Sequence, residues 1–302
     1  MTLSALGVAL VLLTNPVVTS DLEDAFQGLK QAEARKDPTL VKKLATELYA
    51  SADKVICAPA PRGDTEKEDW ANQVAYAKQV QLYSEYALYA AAIQASPEVA
   101  VDLMATLEQE NAKSKYLDQG YGLYLRMLHE TRADAKIPEV AEQALQNFPN
   151  NEDALMALAD DALVHQQSDR ALAYAKRVLA ALSQHQTPED MPAADWEHKR
   201  NTELGHAYWI AGVIQGEKTL YADANRNLRS ALPLISGNQA MLGPALFYLG
   251  VANYQLGVMT LNKAQVLEGA KYSEQAAAIP GAYAEQAWKN AQLIKAAADK
   301  IR

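Results

Sequence analysis

The chain has 302 residues, with 49% hydrophobic and 22% charged side chains, a balance that excludes a disordered or fibrous polymer and is ample for a buried core. Its net charge of -9 argues against nucleic-acid binding, which needs a basic face, and no run of Lys or Arg reverses that argument. Cys57 is the single cysteine, so an intramolecular disulfide and a thiolate metal cluster are both excluded.

The first twenty residues, MTLSALGVALVLLTNPVVTS, carry no charge, and Leu3 to Leu13 form an apolar run that ends at Thr14, Asn15 and Pro16. This is the pattern of a signal peptide over 1–20, with Val18 and Ser20 spaced for cleavage before Asp21. It departs from that pattern in having no Lys or Arg ahead of the apolar run. A first helix buried in the fold is the alternative. A membrane span fits less well, because polar residues arrive before about 20 apolar ones have passed.

From Asp21 onward the chain reads as helices separated by short Pro, Asn, Gly and Asp punctuation. The first pair is predicted over Asp21 to Arg35 and Pro38 to Ile56, with Asp37-Pro38 as cap and first-turn proline. The second pair is Glu66 to Gln94 and Pro97 to Asn111; the third, Gln119 to Glu130 and Ile137 to Asn147. The fourth is Glu152 to Gln166 and Asp169 to Leu182, followed by the longest irregular connection, SQHQTPEDMPAAD. The fifth is Trp196 to Gly216 and Tyr221 to Ile235, and the sixth Met241 to Leu256 and Asn262 to Ile279. A last helix, Ala282 to Ile301, has no partner after it. No segment keeps period-two alternation, so the class expected is all-α.

Internal repetition follows from the spacing. Leu155, Leu158, Ala159 and Ala162, then Ala171 and Ala175, follow Phe148-Pro149. Tyr208, Ala211 and Gly212 with Ala224, Leu228 and Ala231 keep the same intervals, as do Leu246, Leu249 and Gly250. Tyr121, Tyr124, Leu125 and Leu128 with Ala141, Ala144 and Pro149 are a weaker copy, whose Leu125 stands 34 residues before Ala159. These segments resemble the tetratricopeptide repeat, a helix pair of 34 residues. The resemblance is good over 118–279 and weaker over 21–117.

The resemblance implies a right-handed α-solenoid: degenerate helical repeats over 21–117, a tetratricopeptide array over 118–302 and a capping helix at its end. It implies that Gly250, Gly212 and Ala159 mark the close crossing of the two helices of a pair, and that Gly257 ends its helix in a left-handed turn. Asn253 stands where the family has Tyr. About eight extra residues before Ala270 are expected to lengthen the second helix of that pair.

Motifs for chemistry are weak. GVIQGEKT over 212–219 has three residues between its glycines where a phosphate loop needs four, and it follows a helix. No two of His129, His165, His185, His198 and His206 have the one-turn spacing of a helical zinc site; His206 with Glu203 comes nearest. Asp160-Asp161 and Glu108-x-Glu110 are read as solvated charges, and Tyr76, Tyr83, Tyr86 and Tyr89 as a packed stripe. No catalytic residue, metal or cofactor is expected.

In the family the first helices line a concave groove. Carried over by position, the groove is Met156, Asp160 and Leu163, then Trp209 and Val213, then Phe247, Val251 and Tyr254, with Arg126 and His129 from the weaker copy. The Lys positions of carboxylate-clamping members hold Met156, Trp209 and Phe247, so that clamp is absent. The implied function is a non-catalytic scaffold that binds a protein or peptide, exported to the periplasm or beyond a bacterial cell. The alternatives are a small-ligand or glycan receptor or enzyme, and a structural part of an envelope assembly; side chains that cover the groove would remove the binding face.

Overall fold

The computed structural model describes residues 18–185, 187 and 191–301. The expected leader core therefore lies outside the described residues, as does part of the connection after Gln184. The described chain is all-helical, without a strand, and comprises thirteen α-helices and one 3₁₀ turn. They are α1 (Val18–Ala34), α2 (Pro38–Ile56), α3 (Asp64–Gln94), α4 (Pro97–Glu110), α5 (Lys115–Glu130), α6 (Ile137–Asn147), α7 (Glu152–Val164), α8 (Ser168–Gln184), α9 (Ala193–Glu217), α10 (Tyr221–Ile235), α11 (Gln239–Met259), α12 (Lys263–Ala277) and α13 (Ala284–Ala298).

Side-chain caps fix many of the starts by taking an amide that the first turn leaves without a partner. Asp37 accepts from Leu40 N at α2, Asn151 from Ala154 N at α7, Asn238 from Met241 N at α11 and Asn262 from Gln265 N at α12. Ser114 caps α5 through Tyr116 N, so that helix begins four residues before its expected start at Gln119.

Two compact units divide between Asp134 and Ala135. In the first, α1 packs on α2 and α3, α3 on α2, α4 and α5, and α4 on α2 and α5. In the second, consecutive helices from α6 to α13 pack on one another, and α11 also meets α9 and α13. Helix α5, which the repeat pattern groups with the later copies, belongs to the first unit.

Second helices bury one stripe: Val41, Ala45, Leu48 and Ala52 on α2, and Ala224, Leu228, Ala231 and Ile235 on α10. The first helices α9 and α11 are enclosed more fully. Every residue from Ile210 to Gly216 is buried on α9, and α11 has no charged side chain in its 21 residues; helices apolar all round belong inside.

The turn from first to second helix is built the same way at α1/α2, α5/α6, α7/α8, α9/α10 and α11/α12. At each, one non-glycine residue takes a left-handed conformation: Lys36, Arg132, Gln166, Thr219 and Leu261, with φ between 52° and 60°. The amide after it reaches back across the last turn: Asp37 N to Ala32 O, Ala133 N to Leu128 O, Gln167 N to Ala162 O, Leu220 N to Gln215 O and Asn262 N to Gly257 O. This is the Schellman closure of a helix end.

Two expectations are corrected here. Gly257 is not the left-handed residue, which is Leu261; a Cβ on Gly257 would lie 2.8 Å from Val266 N and 3.0 Å from Asn262 O, so glycine is there because α12 passes too close. The extra residues of the last pair also lie elsewhere: α11 has 21 residues and α12 only 15, so the first helix is the lengthened one.

The close crossings themselves stand where expected at two sites. A Cβ on Gly250 would lie 3.1 Å from Gly269 O and from Ser273 N, and a Cβ on Gly269 2.8 Å from Gly250 O. On Gly212 it would meet Leu228, whose N lies at 3.1 Å. The helical cost of glycine, about 1 kcal/mol relative to alanine, is offset by an approach that any side chain prevents.

Candidate functional site

The residues expected to line a groove in the second unit fall on α7, α9 and α11. Met156 and Val213 are buried, 8% and 9% exposed, so these two expected lining residues belong to the core. Leu163, Trp209, Phe247, Val251 and Tyr254 are half-buried. Trp209 donates its indole N–H to Met241 O at 2.8 Å, which ties α9 to the start of α11. Phe247 packs edge-on against Tyr248 and at 4.9 Å from the ring of Tyr283. The aromatic side chains thus both pack and show a face.

Arg126 and His129 lie on α5 in the first unit and are exposed. Arg126 is 3.9 Å from Glu130, and His129 Nδ1 is 2.6 Å from Asp134. Asp160 on α7 pairs with His206 on α9, Nε2 to Oδ1 3.1 Å. His206 therefore does not join Glu203, the partner its one-turn spacing suggested.

Glu203 belongs instead to a cluster that sequence reasoning missed. The first turn of α7 presents Glu152 and Asp153, and α9 presents Lys199 and Glu203. The Lys199 ammonium is 2.9 Å from Glu152 Oε1, 2.7 Å from Asp153 Oδ2 and 3.7 Å from Glu203 Oε1. His185 Nδ1 lies 3.0 Å from the other oxygen of Glu152. Three carboxylate oxygens, one each from Glu152, Asp153 and Glu203, lie within 4.8 Å of one another.

One ammonium cannot neutralise three carboxylates. Burial, and then the charge of Asp153, push the Glu203 carboxyl up to about 9, and burial raises Asp153 as well against the pull of Lys199. Burial works against the charge on Lys199, but the three carboxylates outweigh it and hold the ammonium above the ordinary lysine range. A carboxyl raised that far keeps its proton at neutral pH, so Glu203 is the neutral member of the cluster. Chemically, the arrangement joins α7 to α9 and stores a proton. Lys199 already stands where a cation would sit among the carboxylates.

The tyrosines of α3 do more than pack along their own helix. A ring sequence runs from Phe26 to Tyr83 (4.8 Å between centroids), Tyr86 (5.8 Å), Tyr116 (5.5 Å) and Tyr89 (6.1 Å), across α1, α3 and α5. Tyr76 and Tyr83 donate to Glu23 and Glu33 of α1. The stripe holds the first helices of the first unit side by side.

In comparisons with known proteins, no family model and no curated protein matches the chain.

Proposed function

We propose that the chain is a helical-repeat protein of tetratricopeptide type that binds a protein or peptide segment on the first-helix face of its second unit. The observation that carries this is the common placement of Leu163, Trp209, Phe247, Val251 and Tyr254: all are half-buried apolar or aromatic residues, all on α7, α9 and α11. Aromatic anchors of this kind dominate binding energy in protein recognition, and helix-lined grooves accept segments with apolar anchors. The repeated helix-end turns at Arg132 and Gln166, 34 residues apart, support the repeat reading.

A receptor or enzyme reading draws on Glu152, Asp153 and Glu203, and Lys199 weakens it by compensating those carboxylates from within. Export is part of the proposal and rests on the uncharged apolar stretch before Pro16; amino-terminal sequencing of the protein recovered from its host tests it, with an intact Met1 as the contrary result.

The binding face is tested by placing a photo-cross-linking amino acid at Val251, and for comparison at Gln275, an exposed position of α12. A discrete adduct from Val251 alone is expected. Equal cross-linking from both, or an adduct from Gln275 alone, refutes the placement.

A further inference from the structure

A cleft of about 260 Å³ opens in the first unit between the α1/α2 turn and the end of α3, lined by Glu33, Lys36, Pro38, Val41, Ala90 and Ala91, with Asp37, Gln94 and Ala95 completing it. We propose that this cleft binds a small aliphatic amine, holding the ammonium group at Glu33 and the hydrocarbon stem against the small side chains.

The polarity of the cleft favours a cation from several directions. Helices α1 and α3 both end here, and neither has a basic residue in its last turn, so the negative ends of two helix dipoles are uncompensated within their own last turns. The start of α2 offers little opposing charge: Pro38 has no N–H, and the Leu40 amide is taken by the Asp37 carboxylate at 3.0 Å.

Glu33 is the group that reads the ligand. Its Oε2 accepts from the Tyr83 hydroxyl at 2.6 Å, a neutral donor, and no cation lies within ion-pairing distance of it among the described residues. The Lys30 ammonium acts on it only from farther off, held over the ring of Phe26 at 4.3 Å. Burial raises the Glu33 carboxyl despite the Tyr83 hydrogen bond; a carboxylate desolvated without a counter-ion gains most from one.

The walls then select the stem. Val41, Ala90, Ala91 and Pro38 are small and apolar, and the volume lies just below the ~300–1,000 Å³ of drug-sized sites, so a fragment with a few methylenes fits and a larger ligand does not. Lys36, exposed on the rim, is the one lining cation and opposes the ligand.

The full chain is titrated at pH 7.5 with pentylamine, pentan-1-ol and pentanoate, reading the NMR signals of Val41, Ala90 and Ala91. Saturable shifts are expected with pentylamine alone. Glu33→Gln is expected to weaken binding at least about tenfold, Lys36→Gln to tighten it, and Ala91→Leu, which fills the cleft with all charges in place, to abolish it. Equal shifts from pentan-1-ol, unchanged affinity in Glu33→Gln, or no saturation by about 10 mM overturns the proposal. Should Glu33→Gln lose helical circular dichroism, Ala91→Leu decides, and undiminished binding there overturns it.

Discussion

Gly250→Ala separates two opposing effects at one atom. The added methyl favours helix by up to about 1 kcal/mol. It also places Cβ at 3.1 Å from Gly269 O and Ser273 N, and against the Ser273 hydroxyl. Two of those three neighbours are backbone and cannot rotate away, so α11 and α12 must part, at a cost of about 2–3 kcal/mol, the upper part of the overpacking range. The expected net effect is a loss of about 1–2 kcal/mol. Ser273 Oγ is buried without a hydrogen-bond partner, so Ser273→Ala alone is nearly neutral, and in the Gly250→Ala background it recovers part of the loss by removing the one movable obstacle. The control is Gly28→Ala on α1, where the nearest atom to the new Cβ is Leu44 Cδ1 at 3.9 Å; helix propensity acts alone there and stability rises by about 0.5–1 kcal/mol. Urea unfolding followed by circular dichroism measures the four variants and the parent, with the m-value checked for constancy. A Gly250→Ala protein as stable as the parent refutes the close-crossing argument.

Burial and the charge of Asp153 raise the Glu203 carboxyl to about 9 in the folded protein, against about 4.3 in an unfolded chain, so its contribution is fully present below about pH 4 and is lost as pH rises toward 9, by at most about 1.4 kcal/mol per pH unit. Glu203→Gln should flatten the fall in unfolding free energy between those limits; an unchanged slope contradicts the raised Glu203 carboxyl. Lys199→Met removes the one ammonium in contact with Glu152 and Asp153 among the described residues and should cost about 3–5 kcal/mol in chemical unfolding, less in acid, where the carboxylates protonate; a loss under about 1 kcal/mol places the cluster among ordinary surface pairs. Trp209→Phe keeps most of the packing and loses the hydrogen bond to Met241 O, for an expected cost of about 1–2 kcal/mol without change in helix content; a neutral result means that the bond contributes nothing to the α9/α11 joint.

The helices were legible because their ends are marked chemically. Pro38 and Pro97 begin helices where expected, and the Asn caps at 151 and 262 precede apolar periodic stretches. The start of α5 was hidden because Ser114 sits between two lysines with no proline after it. The left-handed turns were hidden for a related reason: Lys36, Arg132, Gln166, Thr219 and Leu261 include no glycine, whereas Gly257, which looks like a terminator, serves a tertiary contact. Local sequence cannot separate those two uses. The Lys199 cluster was unreadable because its halves lie 46 and 47 residues apart, and acidic residues at the start of α7 are already explained by the helix dipole. Its one local trace is the Lys199–Glu203 spacing of a single turn. Among the residues expected to line a groove, helix membership was legible but burial was not, and Met156 and Val213 lie in the core for that reason.

The central claim is that the partner binds on the α7, α9 and α11 face. Its most direct test is the affinity of the purified partner, once identified by cross-linking, for a Phe247→Ala, Val251→Asp double variant against Gln275→Asp, with circular dichroism matched. Loss of about 2 kcal/mol or more, roughly thirtyfold in Kd, in the double variant alone is the result this account predicts; equal affinity for both, or selective loss in Gln275→Asp, contradicts it.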